Sequence, residues 1–447
     1  MNITLTPKGF PFPDPPQEQD MYTCVHCGLC LNECPTYIAT GLEMESPRGR
    51  IALMKGVHDG ALTMSPEVVA HWQRCIQCRA CEAACPSGVP FGMLMERTQA
   101  QMAMLPQPRR SRFGRWFAYR VLLPHRTLLS AAGRLTWLYQ KLGVQWVMRT
   151  SRATSLLPRS LQAAEAQLPP LPARFFGPRR KPYPAQSTPQ TRGAERKVRV
   201  ALLSGCVMSL AYAPTMRATV RVLARNGCEV TVPPAQTCCG SLHAHAGDRA
   251  KAKELAWQNI RAFLDAGVEK VVTASAGCGA TMRDYADLFA DEPEKRKQAE
   301  KLAAMTVDIT EFLASLPVQA PKARLDLKVT YQDSCHLAHA QRVTKAPREL
   351  LKLISGVELV EMKNSARCCG AGGAYNLLQP DLSDAVLSAK LDTIAATRAE
   401  TVCTANPGCM MQLAKGLRLR DMQGRVCHVV DLLDEAYQKE DSQTRPF

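Results

Sequence analysis

Eight cysteines near the N-terminus form two copies of one pattern. The first copy is Cys24-x-x-Cys27-x-x-Cys30-x-x-x-Cys34-Pro35, and the second is Cys75-x-x-Cys78-x-x-Cys81-x-x-x-Cys85-Pro86. A cubane [4Fe–4S] cluster needs four thiolates, and two-residue gaps let a short turn aim three sulfurs at it. The fourth cysteine, further on at the start of a helix, points away and in two-cluster proteins ligates the other cluster. The spacing therefore assigns Cys24, Cys27, Cys30 and Cys85 to cluster 1, and Cys34, Cys75, Cys78 and Cys81 to cluster 2. Pro35 and Pro86 fix the backbone just past the last ligand. Zinc competes for C-x-x-C pairs. A zinc ribbon has two cysteine pairs, however, and each half here has four cysteines and a following proline. The expected chemistry is the movement of single electrons.

Those sulfurs need elements to hold them. The gap over residues 36–74 is longer than a compact small ferredoxin requires. Ser46 followed by Pro47 and IALMKGV reads as a helix start, with Ser46 as N-cap and Pro47 in the first helical position. A second helix is expected over residues 66–74, running into the second cysteine set. The expectation is a helical ferredoxin-type module over residues 1–100. Arg48 and Arg50 either lie near a cluster and raise its potential, or form a solvated first turn.

The C-terminal half repeats itself. One segment carries Cys206, Cys238-Cys239-Gly240 and Cys278; the other carries Cys335, Cys368-Cys369-Gly370 and Cys409. The intervals match within one residue, at 32 and 33 and then 39 and 40. Each copy ends on a similar acidic-apolar stretch, VDITEFLASL and HVVDLLDEAY, and duplication is the economical reading. KVRVALLSG, EVTVP and KVVTAS in the first copy, and LKVTYQDS, VELVEM and TVCTA in the second, read as strands alternating with helices. That pattern implies a parallel sheet. The cysteines then fall just beyond strand C-termini, where open α/β sheets place their ligands. Four thiols per copy suffice for a further cubane or for zinc; reduced thiols in a docking scaffold are the alternative. Cys228, Cys403 and Cys427 read as core thiols. His336, His243 and His245, near the cysteines, read as ligands, proton donors or ordinary hydrogen-bonded histidines, the last being commonest.

The whole is an α+β multidomain chain: the ferredoxin-type module at 1–100, basic amphipathic helices and a Pro-rich linker at 101–195, and cysteine-rich domains at 196–322 and 323–447. No long uncharged apolar run offers a transmembrane helix. The N-terminus lacks a basic stretch followed by an apolar core, so no secretory signal is expected. Nineteen cysteines in a long chain with this spacing point to metal in a reducing cytosol rather than to disulfides. Residues 101–197 hold 18 Lys and Arg against two acids, Glu165 and Glu195, an excess equal to the chain's net charge of +16. Trp116, Trp137 and Trp146 lie in the same segment. Arginines interleaved with large apolar residues at helical spacing suit a membrane interface, or packing against a partner or the chain's own domains. The apolar faces argue against nucleic acid. Residues 167–190 are proline-rich and read as an extended linker.

These motifs together resemble the iron–sulfur subunit of glycolate oxidase. Local matches are CVHCGLCLNECPTY from Cys24, PRGRI from Pro47, RCIQCRACEAACPSGV from Arg74, SAGCGA from Ser275 and TANPGC from Thr404. The combination is shared with D-lactate dehydrogenase iron–sulfur proteins, the small subunit of anaerobic glycerol-3-phosphate dehydrogenase, and heterodisulfide reductase. The resemblance implies a partner flavoprotein whose FAD oxidises a 2-hydroxy acid such as glycolate or D-lactate. It also implies that this chain passes electrons singly towards the membrane quinone pool. Its place would be cytoplasmic, peripheral on the inner membrane. The eight ferredoxin-type cysteines carry over. The heterodisulfide reductase pattern ends in C-x-x-C, but here Ser275 and Asn406 replace the first of those cysteines. That departure favours the glycolate oxidase family over a thiol–disulfide reductase. The chain shows no nucleotide-binding fingerprint of its own, so FAD is expected elsewhere. A non-catalytic platform for the flavoprotein is the third reading.

Overall fold

The computed structural model describes residues 9–106, 109–151, 153–186 and 197–444. Residues 1–8, and the part of the proline-rich stretch over 187–190, lie outside the described residues, as does Glu195.

The N-terminal module is helical. Helix α1 (Pro47–His58) starts where its sequence asks: the Ser46 hydroxyl accepts from the Gly49 amide at 3.0 Å, with proline in the first turn. Helix α2 (Pro66–Gln73) begins the same way, capped by Ser65. With α3 (Phe91–Met104) they bury Met54, Val57, Trp72, Leu94 and Met95 in one core. The cysteine turns sit on the edge of that core.

Basic helices follow, including α4 (Arg126–Lys141) and α5 (Val144–Thr150). They are partly seated on the rest of the chain. Gly133 packs against Phe175 and Leu210, and Arg120 pairs with Asp248 at 2.8 Å. Their outer face leaves Trp116, Leu135, Leu142 and Trp146 exposed.

Each repeat then builds a sheet of the same order. The strands β2 (Val198–Leu202), β3 (Cys228–Val232), β4 (Lys270–Thr273) and β5 (Thr306–Asp308) lie in the order β3-β2-β4-β5, all parallel. The second repeat uses β6 (Leu327–Tyr331), β7 (Val357–Leu359), β8 (Thr401–Cys403) and β9 (Arg425–Cys427) in the matching order β7-β6-β8-β9. All eight repeat cysteines follow strand C-termini, as the alternation of strands and helices predicts.

Three features differ from the sequence expectation. The proline-rich segment is not wholly a linker: β1 (Arg179–Tyr183) adds antiparallel to β3, with its register shifted within the strand. An edge position tolerates Pro182, because the missing amide hydrogen faces no neighbour there. Second, a fourth strand, β5 or β9, leads into each acidic-apolar ending and its helix. Third, the repeats exchange those helices. The C-terminal helix (Val429–Thr444) packs on Ala213–Arg225 of the first repeat, where Arg221 meets Asp434 at 2.6 Å and Thr215 donates to Asp431 at 3.1 Å. Its counterpart Ile309–Ala314 packs on Lys345–Lys352 of the second repeat. One core therefore runs through both, joining Val200, Leu202 and Val230 to Val329, Tyr331, Leu350 and Leu433.

The ferredoxin-type module is locked to the first repeat by a shielded charge network. Arg97 and Arg249 both clasp Asp287, at 2.8 and 2.7 Å, and both reach Asp14. Removing one partner of such a network strands a buried charge. Asp287→Ala is expected to destabilise the anaerobic holoprotein by about 3 kcal/mol, read as a lower thermal midpoint. A loss below about 1 kcal/mol would place these pairs with surface salt bridges instead.

Candidate metal centres

The cysteine runs repeat in conformation as well as in sequence. His26 and Gln77, each just before the second cysteine of its run, both have left-handed backbone, at φ 55° and 58°. Gly28 and Arg79, just after it, do too, at 85° and 61°. Left-handed backbone costs a non-glycine residue roughly 1–2 kcal/mol. Three such residues are spent on turning the sulfurs inward.

Cys34, Cys75, Cys78 and Cys81 are buried and line one cavity of about 300 Å3, part of it open to solvent, with Thr36, Arg50 and Phe91. The Gln77 amide donates to the Cys75 sulfur at 3.4 Å, and the Thr36 hydroxyl lies 3.2 Å from the Cys34 sulfur. Of the two arginines singled out by sequence, Arg50 is the buried one. It donates to the Glu45 carbonyl at 2.6 Å and to Thr36 Oγ1 at 3.1 Å, and pairs with the Glu45 carboxylate at 2.7 Å. Burial pulls its pKa down, but Cys75, Cys34 and Glu45 outweigh it and hold the guanidinium charged. Arg48 instead lies towards solvent, paired with Glu43 at 2.7 Å.

The other set is more open. Cys24, Cys30 and Cys85 are half-buried beside the module core, and Cys27 is exposed. Burial pushes the Cys30 thiol up to about 11.

In the repeats the eight cysteines line a single cleft of about 990 Å3, part of it open to solvent. Within the first set Cys238 and Cys206 approach to 3.9 Å. Cys206 and Cys239 contacts hold the Cys238 thiol well below its usual range; in the second set Cys368 and Cys409 do the same for Cys369. Among the described residues no three His, Cys, Asp or Glu side chains close on a point as a mononuclear site would require. The donor sets fit soft-metal chemistry, since thiolates are the ligands that iron–sulfur clusters and structural zinc prefer.

The two kinds of site meet. Cys78 and Cys368 are buried in one cluster with Ile76, Ala80 and Tyr375, and Cys335 packs against it. Burial, and next the field of Cys335, push the Cys78 thiol well up. The second repeat grips the ferredoxin turn: Tyr375 donates to the Arg74 carbonyl at 3.0 Å, and His336 Nε2 lies 2.9 Å from the Gln77 carbonyl oxygen. A Cβ at Gly372, at φ 48°, would collide with the Tyr375 Cβ at 2.6 Å and crowd the Ile76 side chain at 3.0 Å. The sequence held a signal for this contact. Gly372-Gly373 stands where the first repeat has Leu242-His243, a break in an otherwise close repeat.

The histidines near the cysteines are held by ordinary hydrogen bonds. His243 Nε2 lies 2.6 Å from the Tyr119 carbonyl oxygen, and His245 Nε2 lies 3.2 Å from the Ser241 hydroxyl. Burial pushes His336 down to about 3, so it is neutral. Cys228, Cys403 and Cys427 lie in the shared core, the last two with sulfurs 3.5 Å apart on adjacent strands. Ser275 and Asn406, where a C-x-x-C would begin, meet each other across the repeat interface. The Ser275 hydroxyl and the Gly277 amide donate to Asn406 Oδ1 at 3.3 and 3.2 Å.

Three family descriptions match the chain: "4Fe-4S dicluster domain" over residues 20–89, "Glycolate oxidase iron-sulfur subunit, linker region" over 103–168, and "Cysteine-rich domain" over 200–283 and 329–414. The chain is 39% identical to the probable glycolate oxidase iron-sulfur subunit of Bacillus subtilis, over 94% of both chains. It is 31% identical to the glycolate oxidase iron-sulfur subunit of Escherichia coli, over 93% of this chain and 94% of that one. Lactate utilization protein A of Geobacillus thermodenitrificans is 34% identical over 53% of this chain and 99% of its own.

Asn406→Ala strips the Gly277 amide of its acceptor and is expected to cost about 1–2 kcal/mol. Asn406→Asp keeps the acceptor and should recover most of the loss. Thermal unfolding of the two variants checks the order.

Proposed function

The chain belongs to the glycolate oxidase iron-sulfur subunit family, and from that premise we propose that it is the electron-transfer subunit of a flavin-dependent 2-hydroxy-acid dehydrogenase. Substrate oxidation, of glycolate or alternatively D-lactate, belongs to a partner carrying FAD. Cys24, Cys27, Cys30 and Cys85 hold one [4Fe–4S] cluster, and Cys34, Cys75, Cys78 and Cys81 hold a second. The repeat cysteines hold a further [4Fe–4S] cluster or, once their sulfurs are drawn together on one ion, zinc. Bound clusters supply one-electron carriage, which divides the two electrons that a flavin accepts together.

The observation that carries this reading is the contact between sulfur sets, Cys78 beside Cys335 and Cys368. The residues around it do what a relay needs. Exposed Cys27 gives the outer site a face open to a partner. Cys34, Cys75, Cys78 and Cys81 are kept from water, and Tyr375 and His336 fix their turn against the second repeat. Trp116, Leu135, Leu142 and Trp146, exposed among the basic helices, support attachment to an anionic membrane surface. No helix among the described residues is long and apolar enough to cross a membrane, and the place proposed is the cytoplasmic face of the inner membrane, beside the quinone pool. Hydrogen-bonded Ser275 and Asn406 weigh against a thiol–disulfide reductase, because they remove the C-x-x-C that such a centre would use.

The full-length chain, purified anaerobically, is expected to leave glycolate and D-lactate untouched. Adding its flavoprotein partner should start reduction of a quinone analogue. Oxidation of either acid by this chain alone would overturn the proposal. Metal analysis should find about eight irons per chain at the ferredoxin-type sites. Further iron or zinc should disappear when Cys238 and Cys368 are replaced by alanine.

A further inference from the structure

The inner ferredoxin-type site pairs two features that oppose each other. Its four cysteines are all less than 10% exposed. A four-thiolate cluster carries net negative charge, and reduction adds one electron with no proton to balance it. Burial in a low-dielectric interior disfavours the more highly charged, reduced form, so burial alone lowers the potential. Yet the same cavity holds a permanent cation: the Arg50 side chain is 1% exposed.

We propose that Arg50 is a potential-setting residue, a buried counter-charge that keeps the cluster held by Cys34, Cys75, Cys78 and Cys81 reducible. The proposal rests on that ligand assignment. Arg50 acts through its charge, which sits in the cavity wall and offsets the electron that reduction adds. Its Nη1 donates to Thr36 Oγ1 at 3.1 Å, and Thr36 gives its own proton to the Glu45 carbonyl at 2.7 Å, so these contacts hold the guanidinium in the cavity wall.

Glu45 does not cancel this charge. Its carboxylate, fully buried, is shared among Arg50 at 2.7 Å, Arg74 at 2.7 Å and His71 at 2.7 Å. Two guanidinium groups against one carboxylate leave the cluster side positive. Arg79, also in the cavity wall, is already matched by Glu82 and Asp284. At the outer site the cations lie closer to solvent. Around Cys27 solvent does the screening; Arg48, paired with Glu43 and donating to the His26 carbonyl at 3.1 Å, has a side chain 30% exposed, and half-buried Lys55 donates to the Cys24 carbonyl at 3.3 Å. The inner site's cation is the buried one, so its potential responds most to losing it.

The test is an anaerobic redox titration of the full-length holoprotein, following the reduced-cluster signals by electron paramagnetic resonance. Cys78→Ser identifies the inner signal by removing it. Arg50→Gln is expected to lower the midpoint of that signal, and Glu45→Gln to raise it, with the outer cluster unmoved. Arg50→Lys keeps the charge and should hold the midpoint close to wild type. A residue that only supports the fold would not give shifts of opposite sign. If Arg50→Gln does not accumulate folded, the upward shift of Glu45→Gln and the Arg50→Lys midpoint still decide. An inner midpoint unchanged in Glu45→Gln, or moved together with the outer one, overturns the proposal while leaving the ligand assignment standing. A signal that survives Cys78→Ser overturns the assignment and the proposal with it.

Discussion

Crowded sulfur is the constraint on which the rest of this structure depends. A thiol is a tolerable core residue, but a thiolate buried beside other thiolates is not. Burial drives the Cys81 thiol well above its usual range, and neighbouring thiols followed by burial do the same to Cys206 and Cys409. A thiol pushed up in this way keeps its proton until metal replaces it, so binding a cluster or zinc must expel protons. The fold is built to hold that unfavourable crowding in place until metal takes up the charge. Left-handed turns at His26, Gln77 and Arg79, the fully buried Arg50–Glu45 pair and the strand ends of two sheets all serve it.

Placing the sulfur sets in series is the second achievement, and tertiary packing performs it. The repeats share one core because each sends its last helix to the other. Their cysteine-bearing edges therefore face a common cleft. The helical module is pinned to the first repeat through Asp287 and to the second through Tyr375 and His336. Its inner cysteines are left with no freedom to drift from Cys335.

Much of this could be read from the sequence, because metal ligation imposes short, rigid spacing. Both CxxCxxCxxxCP runs, the Ser46 and Ser65 helix starts and the duplicated strand–helix pattern all carry local signals. What escaped depends on contacts between segments far apart in the chain. Strands β5 and β9 run straight into the helices that follow, so the pattern of the acidic-apolar endings masks them. Strand β1 hides in a proline-rich stretch because edge pairing is decided by its neighbour. Neither the exchange of terminal helices nor the meeting of Ser275 with Asn406 leaves a local trace. Arg50 and Arg48 look alike two residues apart, and only packing separates a buried counter-charge from a surface pair. The Gly372-Gly373 departure between the repeats was visible, but its meaning depends on Ile76.

The central claim is that this polypeptide stores and passes single electrons rather than performing substrate chemistry itself. Spin counting on the anaerobic, chemically reduced full-length protein tests it most directly. The account predicts about two unpaired spins per chain or more, one for each reduced ferredoxin-type cluster. A reduced sample with full iron content but no paramagnetic signal would contradict it.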